Sequence, residues 1–169
     1  MPSPCSTGTC TPCSNLMKRI EVKLSLPVVA PLLDVIKEVA DSLSTDLAAS
    51  NTLAEVETEL RDTWRDELLL SQNEEVKQLL ALFDTEFFAT GVVAFDGSNA
   101  EPIVRACAAI RLRLRERFLL DLKEDVLESG DIELEALDEP GRRAFMCYLF
   151  LATIQELISQ HLDSSILEN

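Results

Sequence analysis

At 169 residues, of which 47 % are apolar, the chain is long enough for one packed core and too short for two comfortable domains. A net charge of −15, from 30 acids against 15 bases, sets it against nucleic acid and against anionic membrane surfaces, because both attract through neutralised phosphates. With five glycines, an all-β chain rich in tight turns is disfavoured, and with seven Phe, one Tyr and one Trp the core must be mostly aliphatic.

Residues 1–16 are Ser, Thr, Pro, Gly and Cys, with almost nothing apolar before Leu16. That composition builds no core and predicts a disordered tail. Globular composition begins at Met17, which would itself make a normal start, so the tail is one the cell need not translate; a single helical domain is expected over 17–169. "IEVKLSL" alternates, with Ile20, Val22, Leu24 and Leu26 on one face, and predicts a strand over 20–26. Leu32, Leu33, Ile36, Val39, Leu43 and Leu47 then recur at helical spacing, with Pro27 and Pro31 near the start.

A second helix is predicted from about Thr52 to Leu70, with Leu53, Val56, Leu60, Trp64 and Leu68 as its inner ridge. "SQNE", Ser71 to Glu74, fits a capping box and opens a third helix carrying Val76, Leu79, Leu80 and Phe83. Gly91 ends it, Val92 to Phe95 is a short strand, Asp96-Gly97 a turn and Asn99 a candidate N-cap. A long helix from about Ala100 to Leu127 follows, with Ile103, Cys107, Ile110, Leu114 and Phe118 facing inward. Gly130 closes it. The last helix opens at Asp138 and Pro140, runs to about Leu162, and is apolar nearly all round from Ala144 to Leu151, which places it at the centre. The fold class is therefore mainly α: about five helices, with residues 20–26 paired to 92–95 as a two-stranded ribbon, since a lone strand leaves its backbone groups unpaired.

A shift of 71 residues lays one strand-helix unit over the other, with Pro31 on Pro102 and Ile36 on Cys107. Duplication and shared periodicity both account for the match.

"PCSTGTCTPC" holds Cys5, Cys10 and Cys13 in a C-x₄-C-x₂-C spacing that looks like the cluster loop of plant-type ferredoxins. A fourth thiolate is wanting: Cys107 and Cys147 sit at apolar helical positions and read as buried small hydrophobes. No metal and no cofactor is expected. "RLRLRER" clusters Arg111, Arg113, Arg115 and Arg117, with Arg105 before them, as partner- or anion-binding candidates. The alternation of sides favours ion pairing instead, with Glu57, Glu59 and Asp62 or with Glu116, Asp121 and Glu124. Tyr148, Gln155 and Glu156 are buried polar candidates on the last helix, Glu156 either with a raised pKa or paired with Arg111 or Arg115. His161, the only histidine, has no obvious partner.

The strand "RIEVKLSL", the Trp-containing acidic segment, "VVAFD" before "IVRACAAIRLRLRERF", and "YLFLATIQELISQHL" together resemble an uncharacterised bacterial family, Domain of Unknown Function two thousand and seventeen, known best from actinobacteria. The resemblance runs from about Arg19 to Leu162. It implies a helical protein with no assigned activity, whose genes tend to lie beside that of the substrate adaptor of the Clp protease. The cysteine tail and the arginine density at 111–117 depart from the actinobacterial pattern.

No apolar leader opens the chain, and its most apolar stretch, Ala144 to Ile154, is too short to span a bilayer, so a cytoplasmic location is expected. The expected role is a non-enzymatic interaction or regulatory protein, its partner a protein, a second copy included. The alternatives are an enzyme built around Glu156, Tyr148 and the arginines, and a transcription regulator, which the charge and the missing helix-turn-helix signal oppose.

Overall fold

The computed structural model describes residues 19–49 and 53–162. The cysteine tail, and with it Cys5, Cys10 and Cys13, lies outside the described residues. Strand β1 (Ile20–Lys23) leads into α1 (Leu26–Leu43), then α2 (Thr58–Ala81), α3 (Thr85–Thr90), β2 (Val92–Phe95), α4 (Ala100–Phe118), α5 (Glu124–Ser129), a 3₁₀ turn at Leu134–Ala136, and α6 (Glu139–His161). The fold is mainly α with one two-stranded antiparallel ribbon, as the sequence pattern indicates. Ile20 pairs with Phe95 and Lys23 with Val92. The first strand is shorter than 20–26, because Ser25 and Pro27 already start α1. Pro31 lies inside α1, not at its start.

Helix α4 is the hub. Its buried face, Ile103, Ala106, Cys107, Ile110 and Leu114, meets Tyr148, Leu151, Ile154 and Ile158 of α6 and Ile36, Val39 and Leu43 of α1 in one core. Alanines and cysteines at this seam let the helices approach closely. Burial pushes the thiols of Cys107 and Cys147 up to about 12, so both are neutral, inert core residues. The ribbon closes one end of the core with Val93 and Phe95. The inner helix α6 is less enclosed than its composition suggests, since Met146 stays exposed.

Several helix boundaries differ from the sequence pattern: the helix expected from Thr52 starts at Thr58, and a break after Ala81 sets α3 apart. The helices expected at 52–70 and from 71 are one, because Ser71 does not cap: its hydroxyl donates to Glu75 Oε1 within a helix already running. The helix expected to reach Leu127 stops at Phe118; a break at 119–123 lets Leu119 and Leu127 both reach the core. Phe118, expected inside, is about a third exposed. Asn99 stands at the start of α4 without capping it. Its side chain turns back, Oδ1 accepting from Asp96 N at 2.9 Å and Nδ2 donating to Ala94 O at 3.2 Å. Asp96 instead organises the turn, accepting from the Ser98 hydroxyl and from the amides of Ser98 and Asn99, which holds its carboxyl below the usual range. Asp138 starts α6 as the sequence pattern indicates, whereas Gly91 and Gly130 end short separate helices, α3 and α5, and not the longer helices expected to run up to them, which stop at Ala81 and Phe118.

Helix α2 is one helix with two environments. From Gln72 onward it packs on α4; before Gln72 no residue of it is buried. Its first half is held by arginines reaching out of the helix. Arg61 donates to Val56 O at 2.9 Å and Arg65 to Thr45 O at 3.1 Å. A helix of that length is marginal without tertiary burial. Amides of residues 62–70 should therefore exchange with deuterium at least about tenfold faster than those of 72–81. Equal protection along α2 would contradict this.

Candidate functional site

The sequence-derived arginines do not converge. Arg105 is exposed and pairs with Glu101 one turn back and with Glu75 of α2 at 3.5 Å. Arg111 turns to α6, where Nη1 donates to Gln155 Oε1 at 2.6 Å and the guanidinium lies 4.3 Å from the Tyr148 ring centroid. Gln155 in turn donates to Val104 O at 3.0 Å. Arg113 is buried. Its Nη2 donates to Asp46 Oδ2 at 2.9 Å and to Leu47 O at 3.2 Å. Arg115 pairs loosely with Glu124 at 3.9 Å, and Arg117 is exposed with no ion pair among the described residues. Of the expected acidic partners, Glu116 and Glu124 are used; Glu57, Glu59, Asp62 and Asp121 make no ion pair among the described residues.

Tyr148 is buried and Gln155 half-buried. Glu156 is exposed and bonded to Gln160 one turn on at 2.9 Å. It pairs with no arginine. The reason is geometric: Ile154 and Ile158 define the inner face of α6, so position 156 points away while 155 borders α4.

The arrangement that does stand out was not read from the sequence as a site. Leu60, Trp64 and Leu68 recur every fourth residue on α2, and each is 42–47 % exposed. The stripe leads into a groove between α2 and α4, walled by Leu68, Ser71 and Glu75 on one side and Ala108, Ala109 and Leu112 on the other. Leu47, Ala48, Ala49 and Arg105 also line the groove, which holds about 440 Å³. Small side chains at 108 and 109 keep the α4 wall low. Leu112 is itself 36 % exposed, so the groove is apolar and open to solvent.

The segment after α1 that lines this groove is held by side chains of α2 and α4. A helix leaves its last carbonyls unsatisfied, and α1 carries neither a glycine cap nor a basic residue in its last turn. Gln72 makes up the deficit. Nε2 donates to Leu43 O at 2.8 Å and to Asp46 O at 3.0 Å, while Oε1 accepts from Ala48 N at 3.0 Å. Asn73 serves Ser44 O, Arg65 serves Thr45 O and Arg113 serves Leu47 O. Arg65 and Arg113 also bring positive charge to the negative end of α1. Gln72 was detectable: it is the polar residue in the fourfold series 60, 64, 68, 72, 76.

Among the described residues, no group of three His, Cys, Asp or Glu side chains is placed to hold a metal ion, and no helix is long and apolar enough to cross a membrane. The family described as "Domain of unknown function (DUF2017)" matches residues 22–162, from the first strand to the end of α6. The chain belongs to this family. No curated protein and no solved structure gives a significant match. Every buried residue of the core and the whole α2–α4 groove thus fall within the DUF2017 domain.

Proposed function

We propose that this DUF2017 protein is a non-enzymatic interaction or regulatory protein of the cytoplasm that binds a protein through the α2–α4 face. The genomic context implied by the family resemblance suggests Clp-type proteolysis as its setting. The observation that carries the reading is the exposed stripe Leu60, Trp64 and Leu68 running into an apolar groove. Contiguous exposed apolar surface marks interaction sites. The polar groups that an enzyme reading would use speak less for catalysis. Arg111, Gln155 and Tyr148 are engaged with one another, and Glu156 faces solvent. The dispersal of the arginines among separate partners gives a transcription regulator no continuous basic face.

Affinity purification from the native cell, followed by mass spectrometry, tests this. The full chain should recover a reproducible protein partner that a Leu68→Ser, Leu112→Ser variant loses. Consistent recovery of the bait alone would count against an interaction role, and full retention of partners by the variant would move the docking face elsewhere.

A further inference from the structure

We infer that two copies of this chain pair edge to edge through strand β1, joining their ribbons into one four-stranded antiparallel sheet. The ribbon has two strands, so each has an outer edge of backbone groups that the pairing of β1 with β2 leaves over. Leu24 N donates to Gly91 O at 2.7 Å, and the pairs Val22–Val93 and Ile20–Phe95 continue that register. Bonded and non-bonded positions alternate along an antiparallel pair. Ile20, Val22 and Leu24 therefore turn their N–H and C=O groups to β2, while Glu21 and Lys23 turn theirs outward.

The two outer edges differ. That of β2 is taken up by side chains next to it: Thr90 Oγ1 accepts from Val92 N at 3.3 Å, and Asn99 Nδ2 donates to Ala94 O at 3.2 Å. The outward backbone groups of Glu21 and Lys23 have no partner among the described residues, and both residues are exposed. β1 thus presents a short open template for another strand. None of its residues lines the α2–α4 groove, so the two surfaces are separate.

Charge selects the occupant and its register. A second β1, turned antiparallel about Val22, sets its Lys23 opposite Glu21 and its Glu21 opposite Lys23. Every outward N–H and C=O of both residues is then bonded. Sliding the second copy by one residue sets outward groups against inward ones. Sliding it by two, either way, sets Glu21 against Glu21 or Lys23 against Lys23, and like charges directly opposite are destabilising. Lys23 makes no ion pair among the described residues, and Glu21 pairs only with Arg19 at 3.2 Å on the same exposed face. On the other face the same register sets Val22 against Val22 and Ile20 against Leu24, all three half-buried in the single chain. The contact is isologous and closes at two copies.

Sedimentation equilibrium and amide hydrogen exchange of the full-length chain test this, in salt enough to screen two chains of net charge −15 from each other. The expected result is a concentration-dependent doubling of mass. The amides of Glu21 and Lys23 should gain protection as the mass doubles, while those of Val22 and Leu24 are protected throughout. Lys23→Pro removes one outward N–H and leaves the bonds to β2 in place. It should raise the dissociation constant at least about tenfold in a chain that still melts cooperatively. Glu21→Lys and Lys23→Glu should each weaken the pair about tenfold, and the two exchanges together should restore it. A single mass at every concentration up to about 1 mM overturns the proposal. If the amides of Glu21 and Lys23 are nevertheless protected in that monomer, the chain before Arg19 is the occupant instead. Doubling of mass that is indifferent to Lys23→Pro puts the contact elsewhere and overturns it as well. So does a double exchange that fails to recover what the single exchanges lose.

Discussion

Gln72→Leu should lower the stability of the folded chain by about 3 kcal/mol, because it leaves three buried or half-buried backbone groups without partners at once. Leucine is close in volume and as apolar as the neighbouring Val76 and Leu79, so packing does not confuse the result. The loss falls on the amide alone: two donors and one acceptor, each already used. Thermal unfolding should shift down by roughly 6–12 °C for a chain of this size. Asn73→Ala is the control. It removes a single peripheral bond to Ser44 O and should cost within about 0.5 kcal/mol. Equal melting of the two variants would show that the segment after α1 does not depend on Gln72.

The second large effect is expected at Gly91. Its φ of +74° caps α3 in the left-handed region, and its amide donates to Phe87 O at 2.6 Å. Its carbonyl accepts from Leu24 N at 2.7 Å, the contact that brings the first strand alongside the second. A methyl group there would stand 2.9 Å from Leu24 O, which is backbone and cannot move aside. Gly91→Ala should therefore cost the strain of the left-handed conformation, about 1–2 kcal/mol, and loosen the ribbon as well. Gly130→Ala separates the two contributions. Gly130 has a similar φ of +69°, but an added Cβ meets only the side chain of Leu149 at 3.4 Å. Gly91→Ala should be clearly the more damaging; equal melts would mean that the ribbon tolerates the displacement.

The ribbon was legible because an alternating segment at 20–26 and a short apolar one at 92–95 each needed a strand partner. Helix ends at Gly91, Gly130 and Asp138 were legible because capping is local chemistry. The continuity of α2 was not. Ser-x-x-Glu satisfies the pattern of a helix start wherever it falls, and only the packing of Gln72 and Val76 on α4 shows that the helix is already formed there. The break after Phe118 has no glycine or proline to announce it; the burial of Leu119 and Leu127 decides it. Periodicity correctly gave Leu60, Trp64 and Leu68 one face of a helix. It could not say that nothing in the described chain covers that face. The alternation of the arginines told that they would not form one patch, but not which partners they would take: Arg111 goes to Gln155 of α6 and Arg113 to Asp46 after α1, on opposite sides of α4.

The side chains that hold the turn after α1 bind its carbonyl oxygens, which every amino acid possesses. Ser44 and Thr45 can therefore be exchanged for other residues with little consequence, their peptide groups being what Asn73 and Arg65 grasp. The demand for a particular residue is displaced some 20 to 30 positions along the chain, onto the gripping side chains. In this fold the information that shapes one segment is stored in another, so a stretch whose own letters look unremarkable can still be among the most closely specified.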